Sequence, residues 1–128
     1  MLVSMKEMLA DAKAKHYAIP AFDVSNFEMM RAVLETCEEE RSPALLQALG
    51  VDFNGKALPI LTEMIKAASN YYNIPVCLHL DHATDMELIR TALDAGFSSV
   101  MYDGSVHSFE ENIANTKHIV DVCAAIGV

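Results

Sequence analysis

The chain has 128 residues, 52% of them apolar and 21% charged, a balance that can bury a core within one domain and excludes an intrinsically disordered chain. Its net charge of −9 disfavours nucleic acid and anionic membrane surfaces as partners, because phosphate arrays are bound by clustered Lys and Arg. No apolar run approaches the ~20 residues of a membrane span and no basic leader precedes a long apolar stretch, so a soluble, cytoplasmic protein is expected.

From the amino end, Met5 to Lys15 carries Met5, Met8, Leu9 and Ala12 at helical spacing, with Ser4 placed as a cap and Glu7 three residues later. Tyr17 to Val24 reads as a first strand, interrupted by Pro20. Ser25-Asn26 and Glu28 then open a helix through Met29, Met30, Val33, Leu34 and Cys37, in which the methionines read as core filler. Glu38-Glu39-Glu40-Arg41 reads as the solvated end of that helix, and Ser42-Pro43 stops it. Ala44 to Leu49 is a second strand ended by Gly50. Asn54-Gly55 marks a loop before a helix built on Leu58, Leu61, Ile65 and Ala68.

Asn73-Ile74-Pro75 breaks that helix and leads into a third strand. Asp85 to Ala95 is a further helix closed by Gly96, Ser98 to Tyr102 a fourth strand ending in Asp103-Gly104-Ser105, and Phe109 to Gly127 a last helix. A leading helix followed by four strand-helix units predicts an α/β fold with a parallel sheet. Cys37, Cys77 and Cys123 lack CxxC spacing and sit in apolar patterns, so they are expected to be buried free thiols.

The most informative segment is His79-Leu80-Asp81-His82, at the end of the apolar run Ile74 to Leu78. Two imidazoles and a carboxylate at the mouth of a strand can hold a metal beside an acid-base group. Alternation puts Cys77, His79 and Asp81 on one face and Val76, Leu78 and Leu80 on the other, with His82 expected past the strand. The same period places Ile19, Ala21 and Asp23 together, Leu45 with Gln47, and Met101 with Asp103. Parallel α/β folds bind ligands at the carboxyl ends of their strands, so Asp23, Gln47, Asp81 and Asp103 could converge on one cleft. Structural roles stand beside these: Asp103 as a turn former, Asp23 as a helix cap, Gln47 in a hydrogen-bond network, His79 as a satisfied interior histidine. His107 reads as a loop residue, His118 as an exposed helical one, and His16 has no identified partner.

These motifs resemble the class II, zinc-dependent ketose-bisphosphate aldolases. The resemblance runs through Ile19-Pro20-Ala21-Phe22-Asp23-Val24-Ser25-Asn26, Ser42-Pro43, His79 to Thr84, Ala95 to Ser105, and Phe109-Glu110-Glu111-Asn112. It implies a (β/α)8 TIM barrel that reversibly cleaves fructose or tagatose 1,6-bisphosphate to dihydroxyacetone phosphate and glyceraldehyde 3-phosphate, with Zn2+ as cofactor. By the same resemblance Asp81 matches the catalytic acid-base residue and His82 a zinc ligand, while Asp103 matches an acidic residue near the metal. Gln47, and less directly Asp23, match the substrate cleft, and His79 is expected to support the ligands without binding metal itself.

Two positions depart from the family pattern: Asp23 stands where Asn is usual, and Leu49 where a Ser follows the Gln. Added negative charge and a lost hydroxyl both disfavour an anionic substrate. Residues 1–128 are expected to form only the amino-terminal half of the barrel, inactive alone, because a catalytic zinc site needs about three protein ligands and one histidine is matched. The alternatives are a non-catalytic half-barrel that self-associates and a related aldolase acting on another phosphorylated ketose or an inositol-breakdown intermediate. A phosphorylated ketose and further copies of the chain, as a homo-oligomer, are the expected partners.

Overall fold

The computed structural model describes residues 2–50 and 55–128. Helix α1 (Met5–Lys15) starts at Ser4, whose hydroxyl accepts the Glu7 N–H at 3.3 Å. It ends at His16, which takes left-handed backbone angles (φ 59°) so that its N–H reaches the Ala12 carbonyl. This gives His16 a structural role as a C-cap that its sequence context did not reveal. Then follow β1 (Ala21–Asp23), α2 (Phe27–Glu39), β2 (Ala44–Leu49), α3 (Ala57–Ser69), β3 (Val76–Ala83), α4 (Met86–Ala95), β4 (Ser99–Tyr102) and α5 (Phe109–Ile126). Of the Asn54-Gly55 loop signal, Asn54 lies outside the described residues.

The strands form one parallel sheet in the order β1-β2-β3-β4. The first strand is shorter than Tyr17 to Val24. Pro20 offers no N–H to a ladder, β1 has a neighbour on one side only among the described residues, and the Tyr17 hydroxyl instead donates to Asp11 of α1 at 2.8 Å. The third strand is longer than its apolar run, continuing to Ala83. Among the described residues, no helix is long and apolar enough to cross a membrane.

Strand alternation sorts the two faces. Ala44, Leu46 and Ala48 of β2 and Val76, Leu78 and Leu80 of β3 are buried in the main core with Leu34, Leu58, Ile65 and Ile89 from the helix layer and Phe97 from the loop after α4. On the opposite face, α1 covers the amino end. There Leu45 and Cys77 pack on Met8 of α1, with Val3, Met5 and Ile19 beside them. All three cysteines are buried and free.

Two readings of α2 need correction. Met30 is buried at 2% exposure but Met29 is 42% exposed, since adjacent residues on a helix lie about 100° apart and only one can face the core. Glu38 is more than a solvated helix end: its carboxylate accepts the Asn73 backbone N–H at 2.7 Å, tying α2 to the loop before β3.

Candidate active site

Between the pairs Leu80↔Val100 and Ala83↔Tyr102, β3 advances three residues while β4 advances two. The extra residue makes a β-bulge. Leu80 and Ala83 are both fully buried in the helix-covered core, although three residues apart they would alternate in a regular strand. The parity change occurs at His82, a non-glycine residue in the left-handed region (φ 49°). It brings Asp81 and His82, which strict alternation would separate, within 3.9 Å of each other on the open face (His82 Nε2 to Asp81 Oδ2). His82 is therefore within the strand, at its bulge, and not past its end as the apolar run suggested. A left-handed non-glycine residue costs about 1–3 kcal/mol. The surroundings hold it in place: the Asp103 N–H donates to the Ala83 carbonyl at 2.8 Å, and the imidazole binds the Asp103 side chain.

The His82 Nδ1 lies 2.8 Å from Asp103 Oδ2, and Asp103 Oδ1 accepts the Ser105 N–H at 3.0 Å. The Ser105 and His82 hydrogen bonds push the Asp103 carboxyl down to about 2. In return the Asp103 hydrogen bond, followed by the charge of Asp81, raises the His82 imidazole above its ordinary value. With Nδ1 occupied, Nε2 is the nitrogen left for a ligand, an arrangement that orients a metal-binding histidine.

The loop carrying Asp103 is fixed by residues of the Ala95–Ser105 and Phe109–Asn112 motifs to which no role was assigned from the sequence, and by Asn115 and Ser108. A Cβ on Gly104 would collide with the Asn112 side chain and the Tyr102 ring. Tyr102 stacks on His107 and accepts a hydrogen bond from Asn115 at 2.9 Å, and Ser108 and Glu111 form a reciprocal cap on α5. The advance signals were the Asp-Gly-Ser turn chemistry and the Phe109–Asn112 motif. His107 is thus a loop residue with a packing role, and His118 is exposed on α5 as expected.

The other strand-end residues meet in a row. Asp23 is registered with Gln47, Gln47 with His79, and His79 with Ser99. Asp23 is exposed, and its charge contributes to the raised His82 pKa. It does not cap α2; Asn26 does, accepting the Met29 N–H at 2.9 Å. Leu49 is registered with Asp81, placing an apolar side chain beside the carboxylate. His79 is buried, with Nδ1 2.8 Å from Ser99 Oγ and Nε2 3.7 Å from Asp81 Oδ1. Burial holds its pKa below the ordinary value, opposed by Asp81.

Among the described residues, no group of three or more His, Cys, Asp or Glu side chains is arranged to hold a metal ion. What these residues offer is one oriented imidazole and an adjacent carboxylate, a partial donor set that does not by itself fit a zinc ion.

A parallel α/β sheet in the sequential order β1-β2-β3-β4, with its polar side chains at the carboxyl ends of the strands, is the arrangement of a barrel-type α/β fold. The family model for class II fructose-bisphosphate aldolase matches residues 3–128, and the chain belongs to that family. It is similar to the YdjI aldolase of Escherichia coli K12, with 34% identity and a TM-score of 0.93 over 100% of this chain and 50% of that one. It is also similar to the fructose-bisphosphate aldolase of Campylobacter jejuni, with 26% identity and a TM-score of 0.84 over 99% of this chain and 45% of that one. The chain thus spans about half the length of these solved structures, and its sheet is that of a half barrel.

Proposed function

We propose that residues 1–128 supply the acid-base half of a class II aldolase site acting on a ketose bisphosphate, fructose or tagatose 1,6-bisphosphate, in the cytoplasm. The observation that carries this reading is the bulge that turns Asp81 and His82 to the same open face, with Asp103 holding the imidazole. In the cleavage direction the Asp81 carboxylate accepts the proton of the hydroxyl next to the bond being broken. That oxygen becomes the carbonyl of the released aldehyde, the electrons of the carbon-carbon bond pass to the ketose side as an enediolate, and protonation gives dihydroxyacetone phosphate. His82 would offer Nε2 as one donor to zinc, with the other donors supplied by the second half of a complete barrel. Zinc in such a site supplies Lewis-acid polarisation of the substrate carbonyl.

The test is a single-chain hybrid in which residues 1–128 replace the matched half of the Escherichia coli YdjI aldolase. It is expected to bind zinc and release aldehyde from a ketose bisphosphate, whereas the 128-residue chain alone is expected to be inactive. In the hybrid, Asp81→Asn should lower kcat by about 10²–10⁴-fold with zinc retained, and His82→Ala should lose zinc. A folded, zinc-loaded hybrid with no cleavage of either bisphosphate would overturn the proposal, as would a His82→Ala hybrid with full zinc content.

A second reading is favoured by one observation: β1 and β4 each have one paired neighbour among the described residues. Two copies related by a twofold axis could place β4 of each beside β1 of the other and close an eight-stranded barrel. Light scattering on the purified chain is expected to give a dimer mass. A monomer that melts cooperatively and takes up no zinc in calorimetry would remove this reading.

A further inference from the structure

His79 is 7% exposed, and its two ring nitrogens face different groups, Ser99 on one side and Asp81 on the other. The Ser99 contact is set by strand register, since the two residues are ladder partners. A neutral imidazole carries one ring proton, and its position decides what Asp81 meets. With the proton on Nδ1, the ring donates to Ser99 and turns the bare Nε2 lone pair towards the Asp81 carboxylate, acceptor against acceptor. With the proton on Nε2, Ser99 donates to Nδ1 and an N–H faces the carboxylate. The Ser99 hydroxyl has one proton to give, and its other acceptor is the Met5 Sδ at 3.7 Å. A thioether is the weaker acceptor of the two, so the hydroxyl favours the imidazole. Both neighbours of the ring therefore select the same tautomer.

We propose that Ser99 and His79 are positioning residues: Ser99 fixes the His79 tautomer across the ladder, and the resulting Nε2–H holds the Asp81 carboxylate in its working orientation. The inference rests on the acid-base role proposed above for Asp81. At 3.7 Å the His79–Asp81 contact is longer than a hydrogen bond, and a closure of about half an ångström on substrate loading would complete it.

The first test needs no catalysis. Long-range proton–nitrogen spectra of the nitrogen-labelled 128-residue chain at neutral pH are expected to show His79 as the Nε2–H tautomer. In Ser99→Ala the same spectra should show a mixture of the two tautomers. A wild-type Nδ1–H tautomer, or a tautomer unchanged by Ser99→Ala, would overturn the proposal.

The second test uses the hybrid barrel. His79→Leu is expected to lower kcat about tenfold or more while KM moves less than about twofold, and His79→Gln, whose amide places an N–H near the Nε2 position, should recover part of the loss. Equal kcat in wild type, His79→Leu and His79→Gln would overturn the positioning role. Should His79→Leu fail to fold, Ser99→Ala is read instead, with unchanged kcat as the overturning result. A hybrid inactive in every form removes the aldolase reading and the role assigned here to Asp81, while the tautomer spectra report on the Ser99–His79 contact separately.

Discussion

The two faces of the one sheet obey different rules. Towards the helices, β2 and β3 present Leu46, Ala48, Val76, Leu78 and Leu80 at zero exposure, and every position answers to packing. Towards the open side, α1 covers Leu45 and Cys77 at the amino end, and the carboxyl end carries Gln47, the buried His79, Asp81, His82 and the adjoining Asp103. The same strands thus supply stability on one side and chemistry on the other. Residues of the second set are free to break local rules, as His82 does, because the first set holds the backbone.

That separation predicts unequal costs for neighbouring truncations. Leu78→Ala removes a fully buried side chain from the main core and should cost about 2–5 kcal/mol in urea unfolding. Gln47→Ala, partly exposed in the adjacent strand on the opposite face, should cost about 1 kcal/mol or less. Equal losses would show that the open face also bears the fold's stability, and the contrast would fail.

Much of this division was legible in the sequence because β-strand periodicity is strict. The alternation of Cys77, His79 and Asp81 with Val76, Leu78 and Leu80 assigned both faces before any coordinates. The helix start at Ser4 followed from a side chain that accepts a first-turn N–H, as it does here, whereas Asp85, read as the first residue of its helix, is the N-cap of α4. The bulge did not show, because bulges are commonly marked by glycine and this one is built on His82. A three-residue spacing between the core positions Leu80 and Ala83 was the available signal. Ser99 was unreadable for another reason: its partner depends on the register between β3 and β4, which neither strand encodes alone. The Tyr17–Val24 strand shrank because an edge strand pairs only as far as its single neighbour allows.

The strain at His82 gives a sharper version of the comparison. In an ordinary strand, Gly is less stable than Ala by about 0.5–1 kcal/mol. At φ 49° the order should reverse, since alanine keeps the left-handed penalty that glycine avoids. His82→Gly is therefore expected to be more stable than His82→Ala by about 1 kcal/mol in thermal or urea unfolding of the zinc-free chain. At a helix-facing position such as Ala48, replacement by Gly should destabilise. Finding His82→Ala the more stable of the two would mean the bulge relaxes once the imidazole is gone, and that the side chain, not the packed face, maintains it.

The smallest expected effect separates the faces by pH. His82 is raised from 6.5 chiefly by Asp103 and then by Asp81, so its contribution is complete below its unfolded pKa and is lost as pH rises through the higher folded value. Asp103, depressed from 3.8 to about 2 by Ser105 and His82, contributes above its unfolded pKa and loses that contribution as pH falls through about 2. The ion pair is therefore fully formed between about pH 4 and 6.5. The melting-temperature difference between wild type and Asp103→Asn should be largest in that window and shrink towards pH 9, while the deficit of Leu78→Ala, which involves no proton, stays level. The His82 ring should titrate above 6.5 by proton NMR and move down in Asp103→Asn, retaining the part of the shift due to Asp81. Both groups are exposed enough for solvent to screen them, so the stability difference will be small. A wild-type His82 titrating at or below 6.5 would show that the Asp103 contact does not persist in solution, leaving the imidazole without the partner that aims its Nε2.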